Sequence, residues 1–367
     1  MTGLVLSGGG ARSAYQVGAL KALIEITSEM GIENPFPILS GTSAGALNAS
    51  YLAAHLDDLP SAAKNLENLW GNLTSDKVFK VDLLSVLKSS FRLLVELSTA
   101  NLSGEKKTQA LLDTTPLRNL IEKEYKGSAI EQSIKSGKLR GLAVKALSYS
   151  TGVSTTFFQG SSEINPWEHE LRKGKRTRIT IDHILASSAL PILFPPVKLG
   201  SQFYGDGSIR NNTPLSPVIK MGADRVMVVS VRSNPAWEQP KNITPSPARI
   251  LGVLLNTLLL DAVEMDFERL VSINDTLKFI PPTTKTHLKP VQVCLLSPSR
   301  DIGELAVQEF HKMPRTIRYM LRGLGTTTES ADLISYLIFE PSFMKRVIEL
   351  GYHDTLSKQT EIRTFYS

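Results

Sequence analysis

The 367-residue chain has a single cysteine, Cys294, which excludes an internal disulfide, and its setting between Val293 and Leu295 reads as a buried strand residue. No cluster of Cys and His has the spacing of a zinc site, so no metal or other cofactor is expected. The six histidines, His55, His169, His183, His287, His311 and His353, are scattered and none sits in a motif, which points to surface or capping roles. Long apolar runs are also missing. The longest, Ile250 to Leu260, is broken by Gly252, Asn256 and Thr257 and falls short of the roughly twenty residues that span a bilayer. Met1 to Gly10 lacks the basic segment and apolar stretch of a signal peptide, so a cytoplasmic or peripheral membrane location is expected, with export by a signal-free route left open. There is no internal repeat and no low-complexity tract.

With 42% hydrophobic and 21% charged residues, the chain has ample material for a large core. Its most informative segment is Gly41-Thr42-Ser43-Ala44-Gly45, which follows the apolar run Phe36 to Leu39 and precedes a helical stretch, Ala46 to Ala49. Strand, serine between glycines, then helix is the order of a nucleophile elbow. The glycines leave room for the sharp turn that strains the serine backbone. The pattern is loose in a chain with 25 glycines, so a second motif matters. Leu4-Val5-Leu6 reads as a strand running into Ser7-Gly8-Gly9-Gly10-Ala11-Arg12, after which Tyr15, Val17, Leu20, Leu23 and Ile24 recur at helical spacing. Bare N–H groups in such a loop can hold an oxyanion. A phosphate cradle is the competing account, but no Lys-Ser or Lys-Thr follows, and Ser13 stands where a dinucleotide fingerprint has its third glycine.

A serine nucleophile needs a base. The order Ser, Asp, His would allow a triad ending at His353, but too little chain precedes Ser43 for the sheet of an α/β-hydrolase. Asp206 is the better candidate: in Gln202-Phe203-Tyr204-Gly205-Asp206-Gly207-Ser208 a short aromatic strand ends at a Gly-Asp-Gly turn that lets a carboxylate approach another backbone. Asp-Gly turns are common, and this one gains weight only from its company.

Four blocks, Gly8-Gly9-Gly10-Ala11-Arg12, Gly41-Thr42-Ser43-Ala44-Gly45, Ala186-Ser187-Ser188-Ala189-Leu190-Pro191-Ile192-Leu193-Phe194-Pro195-Pro196 and Asp206-Gly207, resemble the signature blocks of the patatin-like phospholipases, in the family's order. The resemblance implies a three-layer α/β/α fold and a Ser/Asp dyad that hydrolyses lipid acyl esters without a histidine. By position it makes Ser43 the nucleophile, Asp206 the base, and Gly8, Gly9 and Gly10 oxyanion donors, with Arg12 shoring up that loop. Ala44 N–H joins the donors, and Gly41, Gly45 and Gly207 support the turns. Ser13 and Ser208 depart from the family's usual residues and are expected to alter the shape of the site entrance rather than remove a reacting group.

Alternating strand and helix cues predict a mostly parallel central sheet, with strands at Leu4 to Leu6, Phe36 to Leu39, Leu142 to Leu147, Phe203 to Tyr204, Val226 to Val231 and Val291 to Leu296. Thr115-Pro116 reads as the N-cap and first residue of a helix through Leu117, Leu120 and Ile121. Asn234 to Pro247 reads as a linker before one long helix near Arg249 to Ile273, and the pattern after Pro298 is helical to about Tyr352. The expected organisation is a catalytic domain over residues 1–300 and a helical C-terminal extension over residues 301–367.

Leu83, Leu84, Leu87, Phe91, Leu94 and Leu97 recur at helical spacing around Lys88 and Arg92, an amphipathic helix for the core or cap, or for a membrane surface. Arg172-Lys173-Gly174-Lys175-Arg176-Thr177-Arg178 reads as a cationic loop that could draw in anionic head groups, in keeping with the net charge of +6. Nothing around it has the marks of nucleic-acid binding. The expected activity is hydrolysis of phospholipid or lysophospholipid acyl esters. An acyltransferase using the same acyl-enzyme and a non-catalytic lipid-binding protein are the alternatives, and oligomeric state has no readable code.

Overall fold

The computed structural model describes residues 1–82, 110–233, 244–281, 283–284 and 286–367. The predicted amphipathic helix at Leu83 to Leu97 and most of the predicted linker after Asn234 lie outside them.

The strands are β1 (Thr2–Leu6), β2 (Ile38–Thr42), β3 (Gly141–Ser148), β4 (Ser154–Gly160), β5 (Trp167–His169), β6 (Arg172–Arg176), β7 (Val197–Leu199), β8 (Gln202–Asp206), β9 (Arg225–Val229) and β10 (Gln292–Leu296). They form one sheet in the order β10-β9-β1-β2-β3-β4-β6-β5, with β8 also on β3 and β7 on β8. From β10 to β3 every pairing is parallel; β4 and β8 both join β3 antiparallel. The parallel half is what the buried, apolar strands predict: Leu4 and Leu6 of β1 face one core cluster while Val5 faces the other.

Among the described residues the helices are α1 (Ala14–Glu29), α2 (Ala44–Ala53), α3 (Leu59–Gly71), α4 (Ser75–Val78), α5 (Thr115–Glu124), α6 (Gly127–Lys135), α7 (Ile181–Ser187), α8 (Ser216–Lys220), α9 (Pro247–Leu259), α10 (Asp261–Leu277), α11 (Ile302–Glu309), α12 (Arg315–Arg322), α13 (Ala331–Leu337), α14 (Pro341–Ser357) and α15 (Gln359–Tyr366). Residues of α1, α2, α3 and α11 to α15 share one hydrophobic cluster on the front of the sheet, and residues of α8 and α10 pack a second on its back. The result is a three-layer α/β/α fold. Helix α14 presses against α1 closely enough that a Cβ on Gly18 would collide with the Ile348 carbonyl, and one on Gly351 with that of Tyr15.

Several local expectations change. The strand expected at Phe36 to Leu39 is Ile38–Thr42, so it runs directly into Ser43. The cationic segment is not a loop: Arg172–Arg176 is strand β6, held between β4 and β5 with Gly174 beneath the Trp167 ring. There Arg176 donates to the carbonyls of Gly160, Ser161, Ser162 and Ile164, and Arg178 pairs with Glu131 at 2.8 Å. The predicted long helix is two, α9 and α10, meeting at Leu260. Thr115 lies inside α5, whose first turn is capped by Asp113, accepting from Thr115 N at 2.9 Å. Helix continues well past Tyr352, to Tyr366. Cys294 is a buried β10 residue, as expected, and burial pushes its thiol up to about 12.

Candidate active site

Parallel pairing of β1 with β2 sets Leu6 opposite Gly41, so the loops leaving both strands emerge side by side at their C-terminal edge. Antiparallel pairing of β8 with β3 sets Asp206 opposite Ala146 and delivers the end of β8 to that same edge. Topology therefore gathers three of the four sequence blocks.

Ser43 stands between β2 and α2 with φ 56° and ψ −132°, a left-handed conformation that is costly for a residue with a Cβ. The turn is tight enough that a Cβ on Gly41 would strike the Gly45 carbonyl, and one on Gly45 the carbonyls of Leu6 and Ser7. Ser43 N donates to Ser187 Oγ at 2.9 Å, pinning the elbow to α7. Ser187 lies in the third sequence block, where nothing in the sequence alone marks it as a partner of the elbow.

The glycine loop lies against this turn. A Cβ on Gly8 would sit 3.0 Å from Ser43 Cβ and 2.5 Å from Ser208 Oγ; Gly9 backs onto Val231 and Gly10, at φ +55°, onto the Tyr336 carbonyl. Among the described residues, the N–H groups of Gly8, Gly9 and Gly10 donate to no backbone carbonyl. Ala44 opens α2, so its N–H belongs to the unsatisfied first turn. Arg12 is buried behind the loop: Nε donates to Ser335 Oγ at 2.6 Å, an NH2 group to Asp332 Oδ1 at 2.9 Å, and the guanidinium lies 4.7 Å from the Tyr336 ring centre. A second buried relay fixes the loop from the other side, Gln16 donating to the Ser7 carbonyl, Asn48 to Gln16 and Trp70 to Asn48 at 2.8, 3.0 and 2.9 Å.

Asp206 has no solvent exposure. Its backbone N–H donates to the Ala189 carbonyl at 2.9 Å, and Oδ1 accepts from Ser208 N at 2.8 Å. Burial raises its pKa to about 6, against the pull of hydrogen bonding from Ser43 and Ser208. Oδ2 is buried with no hydrogen-bond partner among the described residues, and hydrogen bonding from the Ser43 side favours the ionised form. Gly207 turns the chain against β3, where a Cβ would collide with the Lys145 carbonyl. Ser13 and Ser208, expected at the entrance, are both buried, and Ser208 lies beside the carboxylate and the glycine loop instead.

Histidine takes no part in this arrangement among the described residues. His183 is the histidine of α7, yet its Nδ1 is bonded to Thr180 at 2.7 Å, and burial lowers its pKa to about 4. His55 stacks on Tyr51 and bonds its carbonyl.

From Ser43 a mostly apolar cleft opens between α2, α3 and α5. Leu47, Leu66, Leu69, Leu120 and Phe194 are among the apolar side chains on its walls, and among the described residues no histidine lines it. No helix among the described residues is long and apolar enough to cross a membrane.

Residues 4–219 match the family model described as patatin-like phospholipase. Among curated relatives, Lysophospholipase nte1 of Aspergillus terreus is 50% identical over 58 residues, 16% of this chain and 3% of that protein. The cGAMP-activated phospholipase of Pseudomonas aeruginosa is 26% identical over 212 residues, 58% of this chain and 53% of that protein. The chain thus spans about half or less of the length of these relatives. The structure of human GIVD cytosolic phospholipase A2 aligns over 100% of this chain and 59% of its own, at 11% identity and a TM-score of 0.44.

Proposed function

This chain belongs to the patatin-like phospholipase family, and on that premise we propose that it hydrolyses acyl esters of phospholipids or lysophospholipids through an acyl-enzyme on Ser43. The observation that supports the reading is that one edge of the sheet carries a strained serine, a loop of bare glycine amides packed against it, and a fully buried carboxylate whose pKa is raised to about 6.

In this mechanism the Asp206 carboxylate takes the Ser43 proton as Oγ attacks the ester carbonyl. An aspartate with an ordinary pKa near 3.9 is a feeble base, and burial narrows the mismatch with the hydroxyl. The carbonyl oxygen becomes an oxyanion facing the N–H groups of Gly8, Gly9, Gly10 and Ala44, each such donor being worth about a hundred- to a thousandfold in rate. Collapse expels the alcohol, which receives the proton from Asp206. Water then attacks the acyl-enzyme, giving its proton to Asp206, and Ser43 leaves with a proton returned to it. The apolar cleft supports an acyl chain as the occupant, since lining it with a hydrocarbon tail removes both surfaces from water. Gly41, Gly45 and Gly207 keep the two reacting turns close, and Arg12 keeps the glycine loop from sagging.

Labelling with a fluorophosphonate, which forms a stable ester with an activated serine, tests the assignment. Mass spectrometry should find the adduct on Ser43, and Ser43→Ala should abolish it; an adduct on another residue would refute the nucleophile.

A further inference from the structure

Lys145 is placed where a lysine is costly. It points from β3 to the back of the sheet, on the same side as its neighbour Ala143 in the second core cluster, and away from the cleft. Its ammonium is almost wholly buried, bonded to Asn211 Oδ1 and, at 3.4 Å, to the Thr213 carbonyl. Among the described residues no carboxylate pairs with it. The nearest charge that favours its protonated form, Asp266, accepts instead from Leu215 N at 3.0 Å and from Arg269 at 3.3 Å. Burial lowers the lysine pKa to about 7.

The same lysine lines a small pocket, open to the surface, together with Arg172, Arg210, Thr156, Thr213 and Trp167. Arg172 meets only a hydroxyl, donating to Thr213 Oγ1 at 2.6 Å, and Arg210 only a carbonyl, that of Gly152 at 2.8 Å. Among the described residues neither arginine has a carboxylate partner either. Two arginines with no carboxylate bonded to them among the described residues and a buried lysine, with Asp266 acting on Lys145 and Arg172 only through space, form a charge arrangement that an anion would complete by favouring the protonated lysine. Arginine forks and a lysine point charge with threonine hydroxyls between them suit the tetrahedral oxygens of phosphate.

We propose that this pocket, on the opposite face of the sheet from the cleft at Ser43, is a binding site for a phosphate group held by Lys145, Arg172 and Arg210. It goes beyond the proposed hydrolysis. A short relay also links Lys145 to the turn at Ser43: Asn211, which accepts from Lys145, donates to Thr42 Oγ1 at 3.5 Å, and Thr42 precedes Ser43.

The test uses Ser43→Ala protein, so that binding is read without turnover and the outcome is independent of the hydrolase reading. Inorganic pyrophosphate is titrated calorimetrically, and phosphatidylglycerol vesicles are compared with phosphatidylcholine vesicles by flotation. Binding of pyrophosphate identifies a soluble phosphate compound as the ligand, and binding of phosphatidylglycerol vesicles alone identifies a lipid head group. In either case adding Arg172→Ser and Arg210→Ser, both exposed and so tolerated by the fold, should weaken binding by about tenfold or more. Adding Lys173→Ser and Lys175→Ser, on the same strand but outside the pocket, should leave it intact. Failure of both probes to bind, equal binding after the arginine changes, or equal loss in the two variants would overturn the site.

Discussion

The Arg12 guanidinium, 4% exposed, reaches Asp332 Oδ1 at 2.9 Å and so ties the glycine loop to helix α13, a segment 320 residues further along the chain. Removing one partner of a buried ion pair typically costs about 3–5 kcal/mol, and less is expected here because Arg249 stays 3.4 Å from Asp332 Oδ2. Arg12→Met should therefore lower the denaturant midpoint clearly. In whatever folds, ester turnover should fall more than substrate affinity, because the slack appears in the loop that faces the oxyanion. A variant with wild-type kcat would show that the tether does not position the loop.

The raised pKa of Asp206 has two consequences of opposite sign. As the base it must be ionised, so kcat/KM for a soluble ester should rise through about pH 6 and level off above it. For stability the folded pKa lies above the unfolded value of 3.8, so the contribution is fully present below that value and lost as pH rises through about 6. Asp206→Asn removes the buried charge. At pH 7 it should unfold later in denaturant than wild type, by on the order of 2–3 kcal/mol, while ester turnover drops about a hundredfold or more. A variant no more stable than wild type at pH 7 would show that the ionised carboxylate carries no such cost.

The elbow leaves no space for a methyl group. Gly41→Ala should destabilise the protein by roughly 2 kcal/mol or more, since its Cβ meets backbone that cannot turn aside. Gly71→Ala, at the end of α3 with its nearest neighbour 3.7 Å away, is the control and should be within about 1 kcal/mol of wild type. Thermal melts of the two variants separate close approach from a general intolerance of alanine.

Leu120 faces the cleft from α5, and a larger ring there shortens the space available to a chain. Leu120→Trp should reduce kcat/KM for long acyl esters by about tenfold, the effect of losing two buried methylenes, and leave acetyl esters little changed. Equal effects on both would place the acyl chain elsewhere.

Much of this site could be read from the sequence because glycine spacing encodes backbone geometry directly. The turn at Ser43 and the loop at Gly8 to Gly10 are local, and their strands are apolar runs whose burial follows from composition. Other parts depend on distant pairing. Arg172 to Arg176 has no apolar alternation, and it is a strand because β4 and β5 hold it and Gly174 admits the Trp167 ring. The break at Leu260 interrupts a run of leucines that any helical pattern would continue. The family resemblance implied a supporting role for Arg12, but Asp332, Ser335 and Tyr336 carried no signal connecting them to it. Lys145 read as an ordinary residue in an apolar run, since nothing in Ala143-Val144-Lys145-Ala146 announces a buried charge.

The most direct test of the central claim is the fatty acid released from mixed phospholipid vesicles by wild-type, Ser43→Ala and Asp206→Asn proteins, each first shown to be folded. The account predicts free fatty acid and lysophospholipid with wild type and only background release with either variant. Release at the wild-type rate by folded Ser43→Ala or Asp206→Asn would contradict it.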